Sequence, residues 1–270
     1  MQQNKKNYNL WIGAALISAL FLLMLLSLVY IPYDYNEMNT KASFLHPSIQ
    51  HLLGTDNFGR DIFSRIIKGA QVTFFVGFFA VGAGLVVGLF LGAVAGYFGG
   101  LLDEVIMRIT DAQMAFPGVI LALIFIAALG PGAFHTAIAL GVMSVPRFCR
   151  ITRAGFLQIK EMDYISAARA RGASHLRIMA LHILPNILSS LLVTASLGFS
   201  GAVLAEAGLS YLGLGIQPPD PSWGKMLFEA QSYLLTQPWY VVIPGSTITA
   251  MVLGFNLLGD GIRDLSERRV

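Results

Sequence analysis

Long uncharged runs of apolar residues alternate with shorter charged segments along the whole chain. The first run extends over 7–32, and four more follow over 69–102, 112–146, 178–205 and 230–259. A helix needs about 20 such residues to cross a hydrocarbon core of roughly 30 Å. The pattern therefore predicts an all-α integral membrane protein built from transmembrane helices.

The 112–146 run is too long for one span and contains the sequence LGPG at 129–132. A tight turn at these residues divides the run into two helices joined by a short hairpin. The first run exceeds the roughly 7–15 apolar residues of a signal peptide, so we expect a retained helix. Six spans are predicted in all: 10–31, 74–98, 109–129, 133–151, 187–208 and 240–259.

The composition agrees with a membrane protein and argues against several other classes. Of the 270 residues, 55% are hydrophobic and 12% are charged, about half the charged share of a soluble domain. The net charge of +3 is too small to indicate nucleic-acid binding, and the single cysteine, Cys149, excludes an intrachain disulfide. The histidines lack metal-site spacing and no catalytic motif is present, so neither a metal site nor an enzyme is predicted.

Lysine and arginine are unevenly distributed between the predicted loops, and this bias sets the orientation of a membrane protein. They are concentrated before the first span, in the 152–185 loop and after the last span. With six spans these regions share one side, so both termini and that loop are predicted to be cytoplasmic. The segments 32–73 and 209–239 then face outward, where basic residues such as Arg60 and Arg65 are balanced by acidic neighbours.

This topology gives a simple domain organisation. It consists of a cytoplasmic N-terminus (1–9), a first transmembrane helix (10–31), an outward segment (32–73), a five-helix core (74–260) and a cytoplasmic tail (261–270). In the outward segment, Ile62, Phe63, Ile66 and Ile67 fall on one helical face. They predict an amphipathic helix at the membrane interface before span 2, which serves as an anchor or shapes the mouth of a pathway.

Span 2 carries a glycine at every fourth position. The stripe consists of Gly84, Gly88, Gly92 and Gly96. Glycines at this spacing let another helix approach closely, because no side chain holds the two backbones apart. The partner is either a helix of the same bundle or a helix of a second subunit, which would make the stripe a subunit interface.

Two features of the outward half are candidates for function. Glu206 lies near the outer end of span 5, where an ionisable residue indicates a role in transport or gating, although water can reach that depth. The 209–239 loop is rich in proline, glycine and aromatic residues. Such a loop suits either docking of another protein or an interfacial belt of Trp and Tyr, and the run after Trp223 suits a short helix.

The most informative cytoplasmic stretch extends from Tyr164 to Met179. Written as one helix, it places Ile165, Ala168, Gly172, Leu176 and Met179 on one stripe. Its alanines make it thin, and Gly172 can bend or end it. A thin basic amphipathic helix fits a groove on another protein or lies on anionic lipid headgroups.

At these residues the chain resembles the inner-membrane permease subunits of binding-protein-dependent ABC importers. That family carries the loop pattern E-A-A-x3-G-x9-I-x-L-P. The matching positions are Ser166, Ala167, Ala168, Gly172, Leu184 and Pro185. The spacing is intact, while Ser166 replaces the acidic residue and His182 replaces the isoleucine.

Three further stretches narrow the resemblance to the dipeptide/oligopeptide/nickel permeases, as the second of their two paired subunits. They are HLLGTDNFGRD (51–61), EAGLSYLGLGIQPPDPSWGKML (206–227) and FNLLGDGIRD (255–264). With the loop, the similarity covers almost the whole chain from residue 45 onward.

The resemblance implies a type I ABC importer permease in the bacterial cytoplasmic membrane. It implies three kinds of protein partner: a homologous second permease, two ATPase subunits and an extracytoplasmic substrate-binding protein. ATP and Mg belong to the ATPases, so this chain binds no cofactor of its own. The resemblance places the ATPase contact in the coupling loop, at Tyr164, Ser166, Ala167, Ala168, Gly172 and Ala173, with Leu184 and Pro185 closing the motif.

Two questions of function stay open at this point. The family transports di- and oligopeptides, glutathione-like compounds, nickel or metal chelates, and we expect peptides as the broadest class. The other class of function is a proton-coupled carrier acting alone. The spans lack a chain of intramembrane Asp, Glu or His and the inverted repeat of broken helices that such carriers often show, which argues against it.

Overall fold

The structure, a computed structural model, describes residues 7–267. Its helices are α1 (Tyr8–Val29), α2 (Ile62–Phe98), α3 (Gly100–Ala115), α4 (Gly118–Leu129), α5 (Ala133–Lys160), α6 (Asp163–Ala170), α7 (His175–Arg177), α8 (Leu184–Tyr211), α9 (Trp223–Ala230) and α10 (Pro238–Glu267). A π-helical turn at Ile178–Ile183 joins α7 to α8, so that one helical segment extends over His175–Tyr211. The prediction of an all-α protein is confirmed for the described part of the chain.

Four helical segments among residues 7–267 are long and apolar enough to cross a membrane. They are Tyr8–Val29, Ile62–Phe98, His175–Tyr211 and Pro238–Ser266. The pair α3 and α4 makes a fifth if it is counted as one bent span. The α5 helix has 28 residues but carries several arginines. The count of six spans and the cytoplasmic termini therefore remain predictions, and residues 1–6 and 268–270, which helped to set the orientation, lie outside the described part.

The predicted single helix over 109–129 is wrong in shape, because α3 and α4 meet at an angle of 89°. The break lies at Phe116, whose backbone is extended (φ −85°, ψ 133°). A proline disfavours the helical conformation of the residue before it, and Pro117 supplies that constraint. The predicted turn between α4 and α5 is present, since α4 ends at Leu129 and α5 begins at Ala133.

The glycine stripe of α2 packs against α5 of the same chain. A Cβ atom added at Gly84 would lie 2.5 Å from the Cβ of Ser144, and one added at Gly88 would lie 2.5 Å from the Cβ of Phe148. Gly92 and Gly96 are equally close to α5, and all four glycines are buried. Tight packing within the bundle is thus the correct alternative, and the assignment of this stripe to a subunit interface is wrong.

The segment predicted as a separate amphipathic helix is the first part of α2. The 37 residues from Ile62 to Phe98 form one uninterrupted helix, whose first turn is capped by Asp61 through the backbone N–H of Ser64 at 2.7 Å. Ile62 and Ile67 are completely buried in the bundle. Their apolar face therefore contacts protein core rather than a membrane interface.

Aromatic side chains fill the centre of the bundle. The ring of Phe199 on α8 stacks on Phe255 of α10 at a centroid distance of 3.9 Å and contacts Phe74 of α2 at 6.0 Å. Gly77 makes room for this ring, since a Cβ there would lie 2.5 Å from the Phe199 Cζ. These contacts hold α2, α8 and α10 together.

Candidate functional site

The segment between α6 and α8 is divided at Gly172. The α6 helix ends at Ala170, and Gly172 has a φ of +81°, a conformation that favours glycine. Ser174 then caps the next helix by accepting a hydrogen bond from the backbone N–H of Arg177. The prediction of one helix from Tyr164 to Met179 is therefore wrong, and Gly172 ends the helix rather than bending it.

The division also breaks the predicted apolar stripe. Ile165 is fully buried, whereas Leu176 is 78% exposed. Ile178, in the π-helical turn, is buried as well. Ile165 is therefore the fully buried residue of α6, while most of the other α6 side chains are exposed.

Most of the residues predicted for the coupling loop share one concave surface. This surface, of about 490 Å³, is lined by Tyr164, Ala167, Ala168, Gly172 and Ala173 together with Arg171, Arg177 and His182. Ser166 and Pro185 are exposed and Leu184 is half-buried, and none of these three lines it. We call the eight residues that line this concave surface the α6 surface. Small side chains form its floor, and the two arginines give it positive charge.

Three polar contacts connect α7 and the α6 surface to the helical bundle. The hydroxyl of Tyr97, near the end of α2, lies 2.9 Å from Nδ1 of His175. On α8, Nδ2 of Asn186 donates a hydrogen bond to the carbonyl oxygen of His182 at 2.6 Å and to the Tyr164 hydroxyl at 3.4 Å. A displacement of α6 and α7 therefore reaches both α2 and α8 directly.

The π-helical turn before α8 has a cause in the sequence. Pro185 has no N–H to donate and its ring would clash with the carbonyl four residues earlier in a regular α-helix. The turn over Ile178–Ile183 is widened instead, and such turns are frequent at functional sites.

At the opposite end of α2, four charged side chains form a buried group that we call the Arg60 network. It consists of Asp56, Arg60, Arg65 and Glu229. Arg60 Nε donates to Asp56 Oδ2 at 2.6 Å, and Arg60 Nη2 donates to Glu229 Oε2 at 2.7 Å. Arg65 Nη2 donates to the same Glu229 oxygen at 3.2 Å. The network joins the 32–61 segment to α2 and α9.

The Arg60 network shows how Arg60 and Arg65, in a segment predicted to face outward, are balanced by acidic residues. Burial lowers the pKa of Arg60, but the negative charges of Asp56 and Glu229 outweigh it and the net shift is upward. Arg60 and Arg65 are neutralised inside the protein, and nothing in the local sequence indicates their pairing with Glu229.

Glu206 is buried, with 1% of its surface exposed, and is not in contact with water as its depth suggested. Its Oε1 accepts hydrogen bonds from the hydroxyls of Ser210 at 2.7 Å and Ser222 at 2.9 Å. Each hydroxyl in turn accepts a backbone N–H, Ser210 from Ile216 and Ser222 from Lys225. The carboxylate thus orients two hydroxyls that fix the loop between α8 and α9. A gating role for Glu206 remains a prediction.

The loop before α9 is held by Trp223, which is 1% exposed. Its Nε1 donates a hydrogen bond to the carbonyl oxygen of Ile66 at 3.0 Å. A Cβ added at Gly69 would lie 2.9 Å from the Trp223 ring. The short helix predicted after Trp223 is present as α9 and packs on the first turns of α2.

Comparison with protein families identifies a match over residues 84–270, to the binding-protein-dependent transport system inner membrane component. The dipeptide transport system permease protein DppC of Alkalihalophilus pseudofirmus is 43% identical over 269 residues, covering 100% of this chain and 88% of the relative. The glutathione transport system permease protein GsiD of Pectobacterium atrosepticum is 41% identical, covering 95% of this chain and 87% of the relative.

Solved structures of transporters share the fold. A chain of the inward-facing MetNI methionine ABC transporter matches with a TM-score of 0.58 at 19% identity, covering 73% of this chain and 95% of that one. A chain of an amino acid ABC transporter crystallised with histidines matches with a TM-score of 0.56 at 22% identity, covering 76% and 93%. At these identities the likeness concerns the helical architecture alone.

Proposed function

Because the chain belongs to the family of binding-protein-dependent transport system inner membrane components, we propose that it forms half of the translocation pathway of an ABC importer for di- or oligopeptides. The observation that carries this proposal is the similarity over the full chain to a dipeptide permease, at 43% identity. The quoted relatives are named for dipeptide and glutathione transport, which favours peptides over nickel. The family is one of transport permeases, not of enzymes.

We propose that the α6 surface is the contact for an ATPase subunit. Its exposure, its small-residue floor and its direct connections to α2 and α8 support this assignment. Two ATPase subunits would bind ATP and Mg, and closure of their dimer would displace α6 and α7. A homologous permease would complete the pathway, and an extracytoplasmic binding protein would deliver the peptide. In this arrangement the protein is a multi-pass component of the bacterial inner membrane with the α6 surface in the cytoplasm.

Reconstitution of the complete importer in liposomes tests the proposed function. We expect uptake of a labelled dipeptide only when this chain, its partner permease, the ATPases, the binding protein and ATP are all present. Uptake by this chain alone, without ATP, would support a secondary carrier instead. Failure of the complete importer to take up any peptide would overturn the assignment of its substrate.

The ATPase contact is tested by Gly172→Arg. The new side chain projects from the floor of the α6 surface, and we expect it to abolish co-purification of the ATPases without affecting insertion into the membrane. Gly213→Arg is a matched control, because Gly213 has almost the same φ of +80° and, like Gly172, open space around its Cβ position. Normal ATPase binding by Gly172→Arg would rule out this surface as the contact.

A further inference from the structure

Arg147 on α5 is the first charged residue after the uncharged run 112–146, and it lies inside the predicted span 133–151. Its neighbours along the chain, Ser144 and Phe148, contact Gly84 and Gly88 of α2. These glycines lie at the centre of the uncharged run 69–102. At 1.5 Å per residue, Gly88 lies about 15 Å and Gly84 about 21 Å from the end of α2 at Phe98. An ionisable residue at such a depth is costly and indicates a function.

The guanidinium of Arg147 has neither a hydrogen bond nor an ion pair with any residue in the described range 7–267. The next two arginines of α5 differ in this respect. Arg150 pairs with Asp111 at 2.6 Å, and Arg153 pairs with both carboxylate oxygens of Asp103. The fold therefore neutralises Arg150 and Arg153 but leaves Arg147, one turn deeper along α5, without a counter-charge.

Arg147 borders a cleft of about 190 Å³ between α5 and α8. The α8 wall of this cleft is formed by small residues: Gly198, Gly201, Ala202 and Ala205. A Cβ added at Gly201 would meet nothing within 4 Å, in contrast to the clashes at Gly84 and Gly88. Glycine inside a helix costs about 0.5–1 kcal/mol relative to alanine. Packing within this chain does not require Gly201, so the open space beside Arg147 is available for a ligand.

We propose that this cleft binds the carboxylate of the peptide in transit, with Arg147 as its binding residue. The inference rests on the proposed peptide-import function. A guanidinium presents a planar fork of donors that matches the two oxygens of a carboxylate. Every peptide with a free C-terminus carries that group, whatever its side chains. The cleft is large enough for the carboxylate and a few adjoining atoms but not for a whole peptide, so it serves any peptide sequence.

Arg147 is exposed in this chain, as expected of a residue in a wall that faces the translocation pathway. A charged side chain turned to lipid tails would be strongly unfavourable, and intramembrane arginines face bundle interiors or water-filled cavities. The substrate carboxylate supplies the counter-charge that the described chain does not. The alternative counter-charge is an acidic residue of the partner permease. The experiment below distinguishes it from the substrate carboxylate.

The test uses the reconstituted importer and a pair of peptides that differ only at the C-terminus, one a free acid and one an amide. Both are supplied on binding protein loaded to the same occupancy, so that the difference reports on the permeases. For Arg147→Gln we expect free-acid uptake to fall about tenfold or more, while amide uptake changes less than about twofold. Arg147→Lys keeps the charge and is expected to retain intermediate uptake of the free acid.

Two further variants complete the design. A Cβ at Gly201 meets nothing within 4 Å, so Gly201→Leu has room to fill the cleft, and we expect slower uptake with unchanged thermal stability. Arg108→Gln removes an arginine whose side chain is 80% exposed and whose distance to Glu104 is 4.0 Å, and we expect wild-type uptake of both peptides.

Each outcome separates this inference from the proposed function. Equal loss of free-acid and amide uptake in Arg147→Gln would overturn the carboxylate assignment. So would loss of the partner permease on purification, which would assign Arg147 to an intersubunit ion pair. Absence of uptake by the wild-type importer would instead overturn the proposed function itself.

Discussion

Arg60 donates a hydrogen bond to Glu229, 169 positions further along the chain, over a distance of 2.7 Å between Nη2 and Oε2. Arg65 donates to the same carboxylate oxygen. This pair of contacts fixes the 32–61 segment and α9 to the end of α2. Both arginine side chains are less than 10% exposed, so they depend on their partners for solvation.

Glu229→Ala is predicted to destabilise the protein strongly. Breaking a buried ion pair leaves the remaining charges uncompensated and costs about 3 kcal/mol, which corresponds to a melting temperature roughly 6–12 °C lower. Thermal unfolding of the purified protein in detergent measures this. Glu104→Ala is the control, since the Glu104 side chain is 66% exposed and its ion pair is long. Equal melting temperatures for the two variants would contradict a structural role for the Arg60 network.

Gly88→Ala is predicted to separate α2 from α5. The added methyl group would lie 2.5 Å from the Cβ of Phe148 and 2.8 Å from the carbonyl oxygen of Val145, and overpacking of this kind costs about 1–3 kcal/mol. Gly82→Ala, in the same helix, meets nothing within 4 Å and is expected to be neutral or slightly stabilising. Size-exclusion profiles after heating compare the two variants, and a stable Gly88→Ala protein would argue against the close helix contact.

Glu206→Ala is predicted to loosen the loop between α8 and α9. Without the carboxylate, the Ser210 and Ser222 hydroxyls lose the acceptor that orients them toward the backbone amides of Ile216 and Lys225. We expect faster hydrogen exchange at those two amides and unchanged exchange in the middle of α8. Glu206→Gln retains an acceptor oxygen and should exchange nearly as slowly as the wild type. Unchanged exchange in Glu206→Ala would show that the loop is held by other contacts.

Tyr97→Phe is predicted to weaken the connection between α2 and the α6 surface. The variant removes the 2.9 Å contact with His175 but keeps the ring packing. A lost hydrogen bond of about 1 kcal/mol corresponds to roughly fivefold faster amide exchange over residues 172–178. Tyr33→Phe is the matched control, because the Tyr33 hydroxyl donates to Gln50 in the 32–61 segment. Similar exchange over 172–178 in both variants would remove Tyr97 from this connection.

Features encoded by local spacing were predictable from the sequence. The glycines of α2 predict a close helix contact because every fourth residue of a helix lies on one face. The break after Leu129 follows from residues with special backbone preferences, whereas the sequence left open whether Gly172 bends or ends its helix. Pro117 also indicates the bend at Phe116, but the long apolar run around it favoured the prediction of one continuous span.

Features that depend on distant partners were not predictable. Which helix meets the glycine stripe is decided by tertiary packing, so both alternatives were consistent with the sequence. The Arg60 network joins residues far apart in the chain, and nothing in its local sequence identifies Glu229. Arg147 lies inside the predicted span 133–151, which the sequence shows, whereas its lack of a partner within residues 7–267 required the structure.

The π-helical turn at Ile178–Ile183 makes the orientation of the α6 surface depend on the number of residues before α8. In helical geometry each residue advances the direction of a side chain by about 100°. Pro185 keeps this turn wide, so deleting one of the residues before it would rotate everything upstream by about that angle around the axis of α8. The α6 surface would then point to a different side of the bundle even if every one of its residues were retained. Its angular register is therefore set by the number of residues before Pro185 as much as by their identity.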